Sequence, residues 1–143
     1  MKRFIPLALA ALAASAAPAA AYQGGGKPIT VTLTGAAERP GPGDPDGTGT
    51  ASLRVNPGKA ELCYTLTVRN IDPATAAHIH RAPPEAAGPV VLPLAAPTDG
   101  TSSGCAPITR ELAKELIQNP GAFYVNVHNT PYPAGAVRGQ LGR

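Results

Sequence analysis

The chain has three histidines among its 143 residues. They fall in two short pieces, His78 and His80 in "AAHIHR" (76–81) and His128 at the end of "YVNVH" (124–128). A neutral imidazole is the commonest side-chain ligand for a transition metal. In an H-x-H spacing on a strand the two rings leave the same face, with Cα atoms roughly 6–7 Å apart, close enough to converge on one ion. A third histidine from a neighbouring strand would complete a set suited to Zn²⁺ or Cu²⁺. A plainer role fits the same residues: His78 and His80 bond loop carbonyls, Arg81 lies over them, and His128 ends a strand at the solvent. H-x-H is a short and common pattern, so spacing leaves both readings open.

Other chemistries are narrowed by what the chain lacks. A complete copper–zinc dismutase site needs more histidines than three. A blue-copper centre needs a thiolate and usually a methionine, and the one methionine is Met1. Ser102 and Ser103 lie in no G-x-S-x-G turn, so no serine hydrolase is indicated. Three histidines plus water would suit an open hydrolytic zinc site, but no carboxylate is spaced to be its general base. Enzyme activity is therefore the minor expectation.

These residues need strands to position them. Runs of strand length and mostly strand alternation occupy 30–35, 49–55, 61–70, 76–80, 89–94, 122–128 and 135–141, with Gly, Pro and Asp clustered between. In "AFYVNVH", Phe123, Val125 and Val127 share one face, which puts Tyr124, Asn126 and His128 on the other. In "AAHIH", Ile79 faces the core and both histidines face away from it. The stretch 39–49, rich in Pro and Gly, predicts a mobile loop. One segment has helical spacing: Ile108, Leu112 and Leu116 recur a turn apart, Thr109 is placed to cap, and Asn119-Pro120-Gly121 ends the run. It predicts one amphipathic helix over 109–118, covering an end or side of the sheet. Seven short antiparallel strands with one helix predict a mostly β protein, an immunoglobulin-like β-sandwich or Greek-key barrel.

Lys2 and Arg3 precede the uncharged run "FIPLALAALAASAAPAAA", which reads as a signal peptide over residues 1–21. Its removal takes two basic residues and no acidic one, so the formal charge falls from +3 to +1. No clustered basic face for nucleic acid remains. Residues 22–29 read as a linker and 30–142 as one domain. No later run approaches the roughly 18 apolar residues of a transmembrane helix. An extracytoplasmic location, secreted or periplasmic, follows. Two cysteines in such a chain, Cys63 and Cys105, are most simply a disulfide, whose loop of about 40 residues contributes about 4 kcal/mol on the loop-entropy model.

The ordered blocks "LTGAAERP", "GTGTASLRV", "AELCYTLTVRNI", "AAHIHRAP", "GPVVLPLAAP" and "NPGAFYVNVHNTPYPAGAVRGQL" closely resemble the CHRD domain, first described in chordin and widespread in exported bacterial proteins. The resemblance covers about residues 30–142. It implies an immunoglobulin-like or barrel-like β fold outside the cytoplasm and names no reaction. Arg39 and Ala82 depart from the usual pattern, both in loops. The blocks join two distant histidine segments, which favours a shared site of His78, His80 and His128 for copper or zinc. Arg138 is placed to pair with Glu38 or orient a histidine, with Glu38, Tyr132 and Asn126 as further supporting candidates. The competing expectation is an interaction module that holds an extracellular or envelope protein, or a glycan, through the loops at 39–49 and 128–135. With aromatics at 4%, only Tyr124 and Tyr132 offer a platform for sugar.

Overall fold

The computed structural model describes residues 25–142. The proposed signal peptide and the first residues of the proposed linker lie outside that range. Eight antiparallel strands form one continuous hydrogen-bonded sheet: β1 (Lys27–Thr34), β2 (Thr48–Asn56), β3 (Glu61–Arg69), β4 (Ala74–Arg81), β5 (Val90–Leu94), β6 (Thr101–Pro107), β7 (Phe123–Asn129) and β8 (Val137–Gln140). Their order is β5-β4-β7-β8-β1-β2-β3-β6. The sheet curls into a near-barrel around Leu33, Ala51, Val55, Leu62, Leu66, Ile79, Val125, Val127 and Val137. The expected mostly β architecture with one short helix is what the chain adopts.

The two ends of the sheet are joined at a narrow seam by side chains that hold Ala95, the residue after β5. Tyr64 Oη accepts from Ala95 N–H at 2.8 Å, and Ser102 Oγ donates to the Ala95 carbonyl at 2.7 Å. Such links, with Pro93 in β5, protect edges that would otherwise offer free backbone groups.

Three expectations are corrected. β6 was not among the seven expected strands, because "TSSGCAP" has little apolar alternation. It forms by pairing with β3 from Glu61↔Pro107 to Thr67↔Thr101. β1 begins at Lys27, inside the segment read as linker, and pairs Lys27↔Val55. The loop at 39–47 is pinned: Gly43 N–H donates to Gly35 O and Asp44 N–H to Ala136 O, each at 2.8 Å. Its Pro and Gly content therefore serves tight turns over the sheet.

The helix α1 (Arg110–Gln118) is as expected, and Thr109 Oγ1 accepts from Leu112 N–H at 3.0 Å. Its buried residues are Ala113 and Leu116, with Leu112 and Ile108 only partly covered. Among the described residues the other helical pieces are two three-residue turns, and no helix is long and apolar enough to cross a membrane. Cys63 and Cys105 form the disulfide, directly opposite each other on β3 and β6 with Cα atoms 3.9 Å apart.

Candidate metal centre

β4 and β7 are neighbours, and their register decides what meets. His78 lies opposite Asn126, His80 opposite Tyr124 and Ala76 opposite His128. On the other side of β7, Asn126 pairs with Arg138 and Tyr124 with Gln140. Period-two alternation thus lays two polar rows across the outer face, His78–Asn126–Arg138 and His80–Tyr124–Gln140. His128 is a diagonal neighbour of His78, and Ala76 opposite it offers only a methyl group. β5 has one extra residue where it passes His80, a bulge of the kind that re-aims side chains.

The three rings converge. Their centroids are 5.4 Å apart for His78 and His80, 4.9 Å for His78 and His128, and 6.3 Å for His80 and His128. One nitrogen from each can be chosen so that all three lie within 4.8 Å of one another. Bonds of about 2.0–2.1 Å to one ion bring its nitrogens to within about 4 Å of one another, and His78 Nδ1 and His128 Nε2 already stand 3.1 Å apart.

Hydrogen bonds assign the ring nitrogens. His80 Nδ1–H donates to the Gly88 carbonyl at 2.8 Å, which leaves Nε2 with its lone pair buried and without a partner. His128 Nδ1–H donates to the Pro133 carbonyl at 3.0 Å, so in the neutral ring Nε2 carries the lone pair and accepts from His78 Nδ1 at 3.1 Å. Carbonyls that pin the far nitrogen of each ring are a common support for metal-ligating histidines. Burial first, then the neighbouring His128 and His80, push the His78 pKa below its ordinary value. Burial also lowers that of His128, against the raising effect of the Pro133 carbonyl, with His80 adding to the fall. Both rings are thereby kept neutral and able to bind a metal near pH 7.

Of the four supporting candidates Asn126 stands against a histidine, and Arg138, Glu38 and Tyr132 take other places. Arg138, 1% exposed, makes no ion pair with Glu38. Its guanidinium donates to Ala86 O and Pro83 O at 2.9 Å and to Gln140 Oε1 at 3.2 Å, and lies 3.4 Å from the Tyr124 ring centre. Tyr124 in turn stacks on His80, 4.7 Å between centroids with planes 4° apart. Arg138 thus reaches His80 through an aromatic ring. Burial opposes its charge, while Tyr124 and Glu38 favour it. Gln140 Nε2 donates to Ala82 O at 2.7 Å. These bonds strap residues 82–89 over the outer face, which is why β7 and β8 are buried on both sides. Arg81 does not cover the histidines. It pairs with Glu115 at 2.6 Å and lies over Phe123.

Asn126 Oδ1 is 3.0 Å from His128 Nε2, and the same side chain lies close enough to the Glu38 carboxyl to favour its ionised form. Glu38 is 3% exposed, with Oε1 buried and unpartnered. Tyr132 enters through its backbone, accepting at its carbonyl from Gly135 N–H and donating its N–H to Asn129 Oδ1. Sequence reasoning missed Gln140 and the carbonyls of Gly88 and Pro133 as supports. Gln140 had a signal, since it shares a strand face with Arg138. The carbonyls had none, because only the fold brings those loops to the rings. The second group of metal-type side chains, Glu61, Cys63 and Cys105, has both thiols in the disulfide.

The molecule is a small disulfide-linked β-barrel-like domain with a histidine cluster on its outer face. The family profile described as the CHRD domain matches residues 29–141, and the chain belongs to that family. No curated protein and no solved structure matches it.

Proposed function

We propose that the protein is an exported metal-binding domain in which His78, His80 and His128 hold one divalent transition metal, copper or zinc. The observation that carries this reading is His80 Nε2, a buried lone pair with no partner on a ring that clusters with two other imidazoles, while its Nδ1–H is fixed by Gly88. Leaving such a group unsatisfied is costly, and a cation satisfies it. The ligand set is all nitrogen and has no thiolate, which suits Zn²⁺ and Cu²⁺. Half-buried His78 and His128 leave the outer side of the centre open to a further ligand. The disulfide and the family favour an extracytoplasmic setting.

The competing reading is an interaction module without metal. It draws on the His78–His128 hydrogen bond at 3.1 Å, by which two of the rings satisfy each other. Calorimetric titration of the untagged mature chain with Zn²⁺ and Cu²⁺ decides between them. One site per chain is expected, with affinity lost in His80→Ala and weakened at least tenfold in His78→Ala and His128→Ala. Unchanged binding in all three variants would leave the histidines a structural role only. Affinity should fall as pH drops below about 6.5, where protons compete for the rings.

A further inference from the structure

The three histidines bring no negative charge to a divalent ion, and none of their hydrogen-bond partners is a carboxylate. Among the described residues the one buried carboxyl is Glu38, and Asn126 stands between it and His128. Glu38 occupies a built pocket. A Cβ at Gly135, where φ is +143°, would collide with its carboxyl oxygens, and one at Gly43 would lie 2.9 Å from its Cγ. A glycine at 135 thus serves both the turn and the close approach of the carboxyl. The charged groups that face it are Arg138 from β8 and its own neighbour Arg39, whose backbone also favours the ionised form.

Building on the metal reading above, we propose that Glu38 is the charge-compensating residue of the histidine centre, coupled to His128 through the Asn126 amide, and that it releases a proton to solvent when a divalent cation binds. The coupling follows from the amide itself, which has an acceptor at one end and a donor at the other. In the arrangement seen, Oδ1 faces His128 Nε2 at 3.0 Å and the amide NH₂ is left for Glu38, which then accepts as a carboxylate. An oxygen facing a lone-pair nitrogen is repulsive, and a cation on Nε2 relieves it. With the amide reversed, NH₂ shares the Nε2 lone pair with the His78 ring, and Oδ1 requires a donor, the protonated Glu38. One amide rotation therefore links an occupied His128 to an ionised Glu38 and an empty one to a neutral carboxyl. Burial raises the Glu38 pKa to about 7, against the lowering effects of Arg138, Asn126 and Arg39, so both forms are populated near neutrality.

The test is calorimetric titration of the untagged mature chain with Zn²⁺ at pH 7, in two buffers of different ionisation enthalpy, for the native protein and Glu38→Gln. The histidine contribution is common to both. The native chain should release about half a proton more per Zn²⁺ than the variant, since a group with a pKa near the working pH starts about half protonated. Equal release from both, with binding intact, overturns the role of Glu38 and leaves the metal centre standing. Absence of Zn²⁺ binding by the native chain defeats the metal reading and this inference together. If Glu38→Gln does not fold, a ¹³C titration of the Glu38 carboxyl carbon in the native chain answers the same question. Its midpoint should move to lower pH on adding Zn²⁺, and an unmoved midpoint overturns the proposal.

Discussion

The two ring nitrogens of His80 have different fates, one pinned by Gly88 and one buried bare, whereas those of His78 and His128 share a hydrogen bond. The titrating groups around them pull stability in opposite directions. His78 and His128 have lowered pKa values in the fold, so the stability they contribute is complete above about 6.5 and lost as pH falls from there through their lowered values. Glu38 has the reverse sign. Its pKa is raised from 4.5 to about 7, so its contribution is complete below about 4.5 and lost as pH rises through about 7. The two trends overlap, and only a difference measurement separates them. In chelator-treated protein, Glu38→Gln should be more stable than the native chain at pH 8 by roughly 2–3 kcal/mol, because no charge is buried. Near pH 5 that advantage should largely vanish. Urea unfolding at both pH values checks this, and an advantage of the same size at each would mean that the carboxyl is not titrating in the fold.

Strands β4, β7 and β8 supply the side chains, but the segment 82–89 decides how firmly they are held. It is bonded to Arg138 at Pro83 and Ala86, to Gln140 at Ala82, and to His80 and Tyr124 at Gly88. A lysine at 138 cannot reproduce the guanidinium fork or its stacking on Tyr124. Arg138→Lys should cost about 2–4 kcal/mol of stability, as breaking a buried charged network does. It should also weaken Zn²⁺ binding by roughly tenfold, since the support of a ligand is worth about that much. Hydrogen exchange at 82–89 should rise in the variant. Thr109→Ala is the control. It removes the cap of α1, should cost about 1 kcal/mol, and should leave metal affinity unchanged. A Thr109→Ala variant that lost metal as Arg138→Lys does would show that the site responds to global stability and not to the strap.

At the scale of the whole chain, strand parity made the histidine face legible, because Val125, Val127 and Ile79 could only be core and the histidines therefore had to face away. The spacing of Leu112 and Leu116 and the Thr109 cap did the same for the helix. What could not be read was whatever depends on distant backbone: β6, which has little pattern of its own, the loops that bury the polar face, and the carbonyls that receive Arg138. β6 is also where the disulfide acts. It is an edge strand whose ladder partner is β3 alone among the described strands, and Cys63–Cys105 ties that pair across a sequence separation of 42 residues. Loop closure of that size is worth up to about 4 kcal/mol. Reduction should therefore lower stability by up to that amount and act first on β6, which is paired along one edge, and on α1, which follows it in the chain. The histidine strands β4 and β7 lie beyond the seam and β5, each paired on both sides. Hydrogen exchange of the reduced protein should show lost protection in 101–118 with 74–81 and 123–129 still protected, and Zn²⁺ affinity within about twofold of the oxidised chain. A uniform loss of protection across β4 and β7 would show that the bridge holds the barrel as one cooperative unit rather than fastening its edge.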